Sequence, residues 1–260
     1  MRFVYIVLFL SFSFFGYGFD THDNQNETIT KEVKSDSLNG ELGEFSQEFE
    51  IEEIYDPFNT YNRLMTEVND VAYEYILKPV AKGYKKILHV EARECVRNFF
   101  NNLYYPTRVV NNLLQGKFCY AYEETSRFVI NSTIGILGLF DPAKSKFELQ
   151  PHEEDFGQTL GFYGVGGGPH IVLPLLGPSN LRDALSLYPD SLLSPIDYTD
   201  RSYSTLTDNA LEYLGVKVIE KVNYISLNMD EYEKMKKDAV DLYPYLRDIY
   251  EQYREKQIKE

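Results

Sequence analysis

The side chains with the clearest claim to chemistry crowd into one stretch, Phe156–Asp183. His170 stands just after Gly164, Gly166, Gly167 and Gly168, four glycines within five positions. An imidazole beside such backbone reads as a general base, which needs a proton to abstract within hydrogen-bond reach. No Gly-x-Ser-x-Gly elbow, the turn that presents a serine to such a base, occurs in the sequence. The glycines suggest a phosphate cradle, but that pattern requires Lys and then Ser or Thr, and Pro169 and His170 follow Gly168. A dinucleotide fingerprint fails on spacing and flanks. His22, His89 and His152 are scattered, with no Cys or carboxylate set at metal-ligand spacing. Asp155 and Asp183 flank the stretch as helix caps or as partners for Arg182. The sequence thus predicts no catalytic residue, no metal site and no cofactor.

What remains of the stretch is physical. Residues 169–178 form an apolar run interrupted by Pro169, Pro174 and Pro178. Apolar irregular backbone persists where it is buried, lines a cavity or touches lipid. Its glycines then serve close packing or a flexible gate beside a cavity.

The elements that must position this stretch read as helices. Asp56-Pro57 is a helix-start signal, and Phe58, Tyr61, Leu64, Met65, Val68, Val71, Ala72, Tyr75 and Ile76 recur at helical spacing. Further helices are predicted over Val80–Leu88, Glu91–Leu103, Thr107–Gln115, Phe118–Ile130, Glu153–Leu160, Leu181–Leu187, Thr207–Val222 and Met229–Lys259. Pro244 should kink or split the last, whose apolar stripe runs through Tyr232, Met235, Val240, Tyr243, Leu246, Ile249, Tyr250 and Tyr253. Ile134–Phe140 reads as a short apolar element and turn. No segment alternates well enough to predict a sheet, so the fold class is all-α. Beyond the N-terminus, no stretch reaches the roughly 18 apolar residues of a spanning helix.

The N-terminal 54 residues stand apart. Arg2, the apolar run Phe3–Phe15 and Gly16-Tyr17-Gly18 read as a signal peptide over residues 1–18. A membrane anchor would need about 20 apolar residues, and this run is shorter. No Cys stands at the cleavage site. Residues 19–54 hold eleven acidic residues against two lysines and read as a disordered acidic tether. That tether carries most of the net charge of −14, so the domain over residues 55–260 is only mildly acidic. Without a basic stripe, nucleic acid is excluded as a partner. Cys95 and Cys119 are even in number and suit an oxidising compartment; a bridge and two buried thiols are both open readings. There are 22 Tyr and 17 Phe but no Trp, and amphipathic rings suit membrane and protein interfaces alike.

Several blocks, taken in order, resemble the MlaA (VacJ) family. They are Asp56-Pro57-Phe58-Asn59-Thr60-Tyr61-Asn62-Arg63, Lys78-Pro79-Val80-Ala81, Val96–Leu103, Leu114-Gln115-Gly116-Lys117, Arg127–Gly135, Gly138–Ala143, and Glu154–Gly161 through Gly164-Val165-Gly166, Gly168-Pro169, Leu173-Pro174 and Arg182-Asp183. The resemblance is strong over about Tyr55–Pro195 and weaker beyond. It implies a ring of short helices embedded in the inner leaflet of a Gram-negative outer membrane. An amphipathic channel through that ring would release mislocalised phospholipid from the outer leaflet to a soluble periplasmic carrier. The family's partners are trimeric porins, and its members are not enzymes.

On that expectation Asn62, Arg63 and Arg182 accommodate a headgroup, while Gly164, Gly166, Gly167 and Pro169 form a mobile wall or gate. The family commonly carries an acylated N-terminal Cys, which this signal lacks. Competing readings are a porin-associated scaffold without a channel, a periplasmic hydrolase using His170, and a surface adhesin.

Overall fold

The computed structural model describes residues 56–196 and 210–260. The expected signal peptide and tether, and the start of the helix expected at Thr207, lie outside them. The described chain is a bundle of short helices with one small hairpin. Helix α1 (Asn59–Ala72) runs directly into a π-helical turn (Tyr73–Leu77) and then α2 (Lys78–Ile87). Next come α3 (Val90–Leu103), α4 (Tyr105–Leu114), α5 (Phe118–Thr133) and α6 (Pro142–Phe147). Helix α7 (Phe156–Phe162) leads through the glycine loop to β1 (His170–Leu173) and β2 (Gly177–Asn180), and α8 (Leu181–Leu193) follows. Two long helices, α9 (Ala210–Asp238) and α10 (Leu242–Lys259), complete the chain.

Most expected helices are present, with instructive shifts. Helix α1 starts at Asn59, not at Pro57. Asp56 still caps the preceding turn, accepting from the Phe58 amide at 3.2 Å. Helix α8 continues through Pro189 to Leu193, six residues beyond expectation. The final helix does split, but at residues 239–241. Asp241 there accepts from the Tyr243 amide, and Pro244 sits harmlessly in the first turn of α10. Ile134–Phe140 forms no regular element: Ile136 and Leu137 adopt left-handed backbone at φ 54° and 57° and stand exposed. Cys95 and Cys119 are both free thiols.

The antiparallel hairpin corrects the expectation of no sheet. Register pairs His170 with Asn180 and Leu173 with Gly177, around the loop Pro174-Leu175-Leu176. Its strands are only four residues long, and Pro178 lies in one of them, so no alternation could announce it.

Burial is inverted relative to a water-soluble domain. Among the described residues, buried polar and charged side chains outnumber buried apolar ones. Asn62, Asn111, Asn112, Glu124, Asn180 and Asp183 are all essentially inaccessible. Buried ion pairs such as Arg108–Glu124, at 2.7 Å between α4 and α5, join the helices. Meanwhile Tyr75, Ile87, Phe118, Tyr122, Leu137, Leu185 and Leu211 point outward. Among the described residues the apolar clusters are small: one around Tyr73 and Ile225, one around Phe100 and Ile196, and one around Leu173 and Leu187.

Candidate functional site

A cavity of about 230 Å³ lies between α1, the hairpin, α9 and α10. The hairpin supplies His170, Val172 and the Leu175–Pro178 edge. Helix α9 contributes Tyr224, Ile225 and Met229, and α10 contributes Tyr243, Leu246, Ile249, Tyr250 and Tyr253. The opening stretch of sequence therefore does wall a cavity, through its hairpin and not through the glycine run Gly164–Gly168.

The hairpin is held in place by two asparagines one heptad apart on α1. Asn62 donates to the His170 carbonyl at 3.0 Å and accepts from the Val172 amide at 2.8 Å. Asn69 donates to the Leu173 carbonyl at 2.9 Å and accepts from the Leu175 amide at 2.6 Å. A side-chain amide has the donor and acceptor of a peptide group, so these two satisfy the open edge of β1 as a neighbouring strand would. Asn69 also steadies Leu175, whose φ of 62° is unusual for a branched side chain.

The far end of the hairpin and α8 are locked to α10 by buried charges. Arg254 binds Asp155 through two nitrogens at 2.8 and 2.9 Å and donates from Nε to Asp183 at 2.8 Å. Asp183 also accepts from Arg182 at 2.9 Å and Tyr250 at 2.5 Å. Burial pushes the Asp183 carboxyl up, but Arg254, Arg182 and Tyr250 outweigh it and hold the pKa below the usual range. Asp155 caps α7 through the Gln158 amide at 2.8 Å. Beside it, Asp190 accepts from the Phe156 amide and from Asn111. Burial and the neighbouring Asp155 push Asp190 up to about 8.

The cavity's own electrostatics are sparse. Tyr224 and Tyr253 are pushed up to about 12, first by burial, and so are neutral. Tyr243 rises to about 12 as well, by burial and by its hydrogen bond to Asp56. Desolvation lowers the Lys221 ammonium to about 7, against the opposing pull of Glu220. Arg247 lies 5.8 Å from the Tyr243 ring and donates to Asp248 at 3.0 Å. His170 engages Glu251 through Nδ1 at 2.8 Å, while its Nε2 has no hydrogen-bond partner among the described residues.

None of the seven residues singled out from sequence is among those lining the cavity. Asn62 and Arg182 are buried and bonded as above. Arg63 is half-exposed, pairs with Asp241 at 2.7 Å and lies 5.5 Å from the Tyr243 ring, so it joins α1 to the break before α10. Gly164 sits at φ 83° with open space beside it, and Gly166 also faces open space. A side chain at Gly167 would meet the Asn180 amide at 2.9 Å. The Gly167 and Pro169 carbonyls accept from Arg182 and Leu181 at the start of α8. Sequence reasoning missed Lys221 and Arg247 as cavity residues. The signal for Arg247 was its place inside the stripe Tyr243, Leu246, Ile249 and Tyr250.

The fold and site together define a helical cavity protein with many large apolar side chains on its exterior, in which no described helix is long and apolar enough to cross a membrane. The chain belongs to the MlaA family: the family model described as MlaA lipoprotein matches residues 54–257. An uncharacterized protein of Rickettsia prowazekii is 37% identical over 207 residues, covering 80% of this chain and 79% of the relative. The intermembrane phospholipid transport system lipoprotein MlaA of Shigella flexneri is 38% identical over 144 residues, 52% of this chain and 57% of that protein. A structure solved in work on the structural basis for maintenance of bacterial outer membrane lipid asymmetry superposes with a TM-score of 0.66 at 30% identity. It covers 78% of this chain and 99% of the solved one.

Proposed function

We propose that this protein conducts phospholipid through its cavity, removing misplaced lipid from the outer leaflet of the outer membrane and so maintaining lipid asymmetry. The observation that carries this reading is the cavity: apolar and aromatic walls with Lys221 and Arg247 among them. Burying acyl chains is worth about 0.8 kcal/mol per methylene, and neutral tyrosines tolerate both chain and headgroup. Aromatic walls interrupted by Arg247, and by a lysine whose charge burial weakens, offer a compromise between taking lipid up and letting it go. The exposed apolar exterior supports placement in lipid.

On this reading the protein sits at the periplasmic side of the outer membrane, in its inner leaflet. A trimeric porin and a soluble periplasmic carrier are its partners, a proposal supported by family membership. Of the headgroup candidates, Arg63 lies beside the cavity residue Tyr243 and is half-exposed, whereas Asn62 is buried and its amide is taken up by the hairpin. The glycine loop acts as the pivot of the hairpin wall. A scaffold role without passage is the competing reading. Deleting the gene and assaying phospholipid on the cell surface separates the two: accumulation supports transport, and an unchanged surface contradicts it.

A further inference from the structure

Helix α9 is not one rod. Asn228 leaves helical geometry, at φ −112° and ψ 15°, and the chain breaks again at residues 239–241. Met229–Asp238 is therefore a short helical lever between two joints. Of this lever only Met229 and no other side chain is buried. Met229, Tyr232 and Met235 line one side of the cavity, opposite Asn69, Tyr73 and Leu77 of α1 and the π-helical turn.

The contact across that seam has a small apolar centre, the cluster of Tyr73, Ala81, Ile225 and Met229 with Leu77 and Tyr232 packed on it, and a polar rim. Lys236 reaches Asp70 at 2.7 Å and Glu74 at 3.1 Å, and Lys78 reaches Glu233 at 2.6 Å and Glu74 at 2.8 Å. Tyr73 donates to Glu233 at 3.3 Å, and its ring meets Tyr232 at 4.4 Å between centroids. The segment's share of the apolar centre is one buried side chain, Met229, with Tyr232 beside it, and the partly exposed ion pairs of the rim separate at low cost. The π-helical turn adds a second sign, since such turns are rare and concentrate at functional sites. Here it carries Tyr73 and Leu77 on the cavity wall and Glu74 in the ion-pair cluster, and Lys78 follows it directly as the first residue of α2.

We propose that Met229–Asp238 is a gate on the cavity, pivoting at Asn228 and residues 239–241 and held shut by the clasp of Asp70, Glu74, Lys78, Glu233 and Lys236. That lipid is what passes rests on the transport reading above; the gate itself does not.

The test is the labelling rate of a reporter thiol in the full chain, purified in detergent with Cys95 and Cys119 changed to Ser. Ile225→Cys places a buried reporter on the cavity wall before the first joint. Leu187→Cys places a control in the separate cluster behind the hairpin. Lys236→Glu is expected to speed maleimide labelling at the Ile225 site about tenfold, the range of a coupled charge network, and to leave the Leu187 control unchanged. Exchanging the charges, Asp70→Lys with Lys236→Asp, should slow it again. Equal rates at the Ile225 site in all forms, or an equal rise at the control, would overturn the gate. Should Lys236→Glu fail to fold, Lys236→Met must give the same contrast. Phospholipid in the same preparations is measured by mass spectrometry. Its absence from the unmodified protein would count against transport while the labelling contrast still decides the gate.

Discussion

Asn62 and Asn69 stand in for a third strand, and the exchange of Asn62 for Leu isolates what that is worth. The change strips partners from the buried His170 carbonyl and Val172 amide, so stability should fall by about 3 kcal/mol in urea titration. A loss below about 1 kcal/mol would mean the hairpin holds without the clamp. Nothing in the sequence could assign this role, because the partners lie 108 and 110 positions away. An Asn next to an Arg reads as a headgroup site, and in the fold the same amide is consumed by backbone. Asp190 offers a pH signature at the same scale. Its pKa is raised to about 8 in the folded state, so the native protein binds an extra proton between the ordinary carboxylate range and that value. Stability from this residue is full below about 4 and declines as pH rises toward 8. Asp190→Asn should flatten the fall in melting temperature between pH 6 and 8; an unchanged slope would place the proton elsewhere.

Among the elements, the glycine loop and α10 make opposite predictions about tolerance. Gly166→Val meets open space and should melt within error of the wild type. Gly164→Val forces a branched residue to φ 83°, and Gly167→Val collides with Asn180, so each should cost roughly 1–2 kcal/mol. Equal losses at all three positions would contradict this ordering. Arg254→Met should cost about 3–5 kcal/mol, since Asp155 and Asp183 keep their buried charges without their partner; the denaturation midpoint measures it. Helical spacing in α1, α3, α4 and α5 was plain in the sequence because each spans several turns with a consistent face. The hairpin was not, since four residues per strand carry too little periodicity and its stabilising partners come from α1 and α10. The split before α10 was anticipated through Pro244, although the break belongs to the Asp241 cap three residues earlier.

For the molecule as a whole, the cavity is the property to challenge. Leu246→Trp with Ile249→Trp would fill it from one helix, at partly buried positions. Co-purified phospholipid should then drop by more than half, roughly the cost of displacing several methylenes, while circular dichroism stays unchanged. Retained lipid in that variant would locate it on the outer surface instead. The inverted distribution of polarity was half legible. The abundance of Tyr and Phe without Trp pointed to an interface, but the buried Asn and Arg–carboxylate pairs could not be told from an ordinary hydrophilic surface. Which face of a helix looks inward is decided by its neighbours, and in an apolar medium the usual inference runs backwards.

The asparagine clamp on β1 has a consequence for the life of the chain before it reaches its destination. On the placement proposed above, a protein with this much apolar surface crosses water first, where copies meet through any adhesive patch they share. A bare β edge is the most dangerous such patch, because strands of separate molecules can add to it without limit. By closing the β1 edge with side chains of the same chain, Asn62 and Asn69 remove one template on which copies could polymerise. Loss of the clamp should therefore be felt first in export yield and fibre formation.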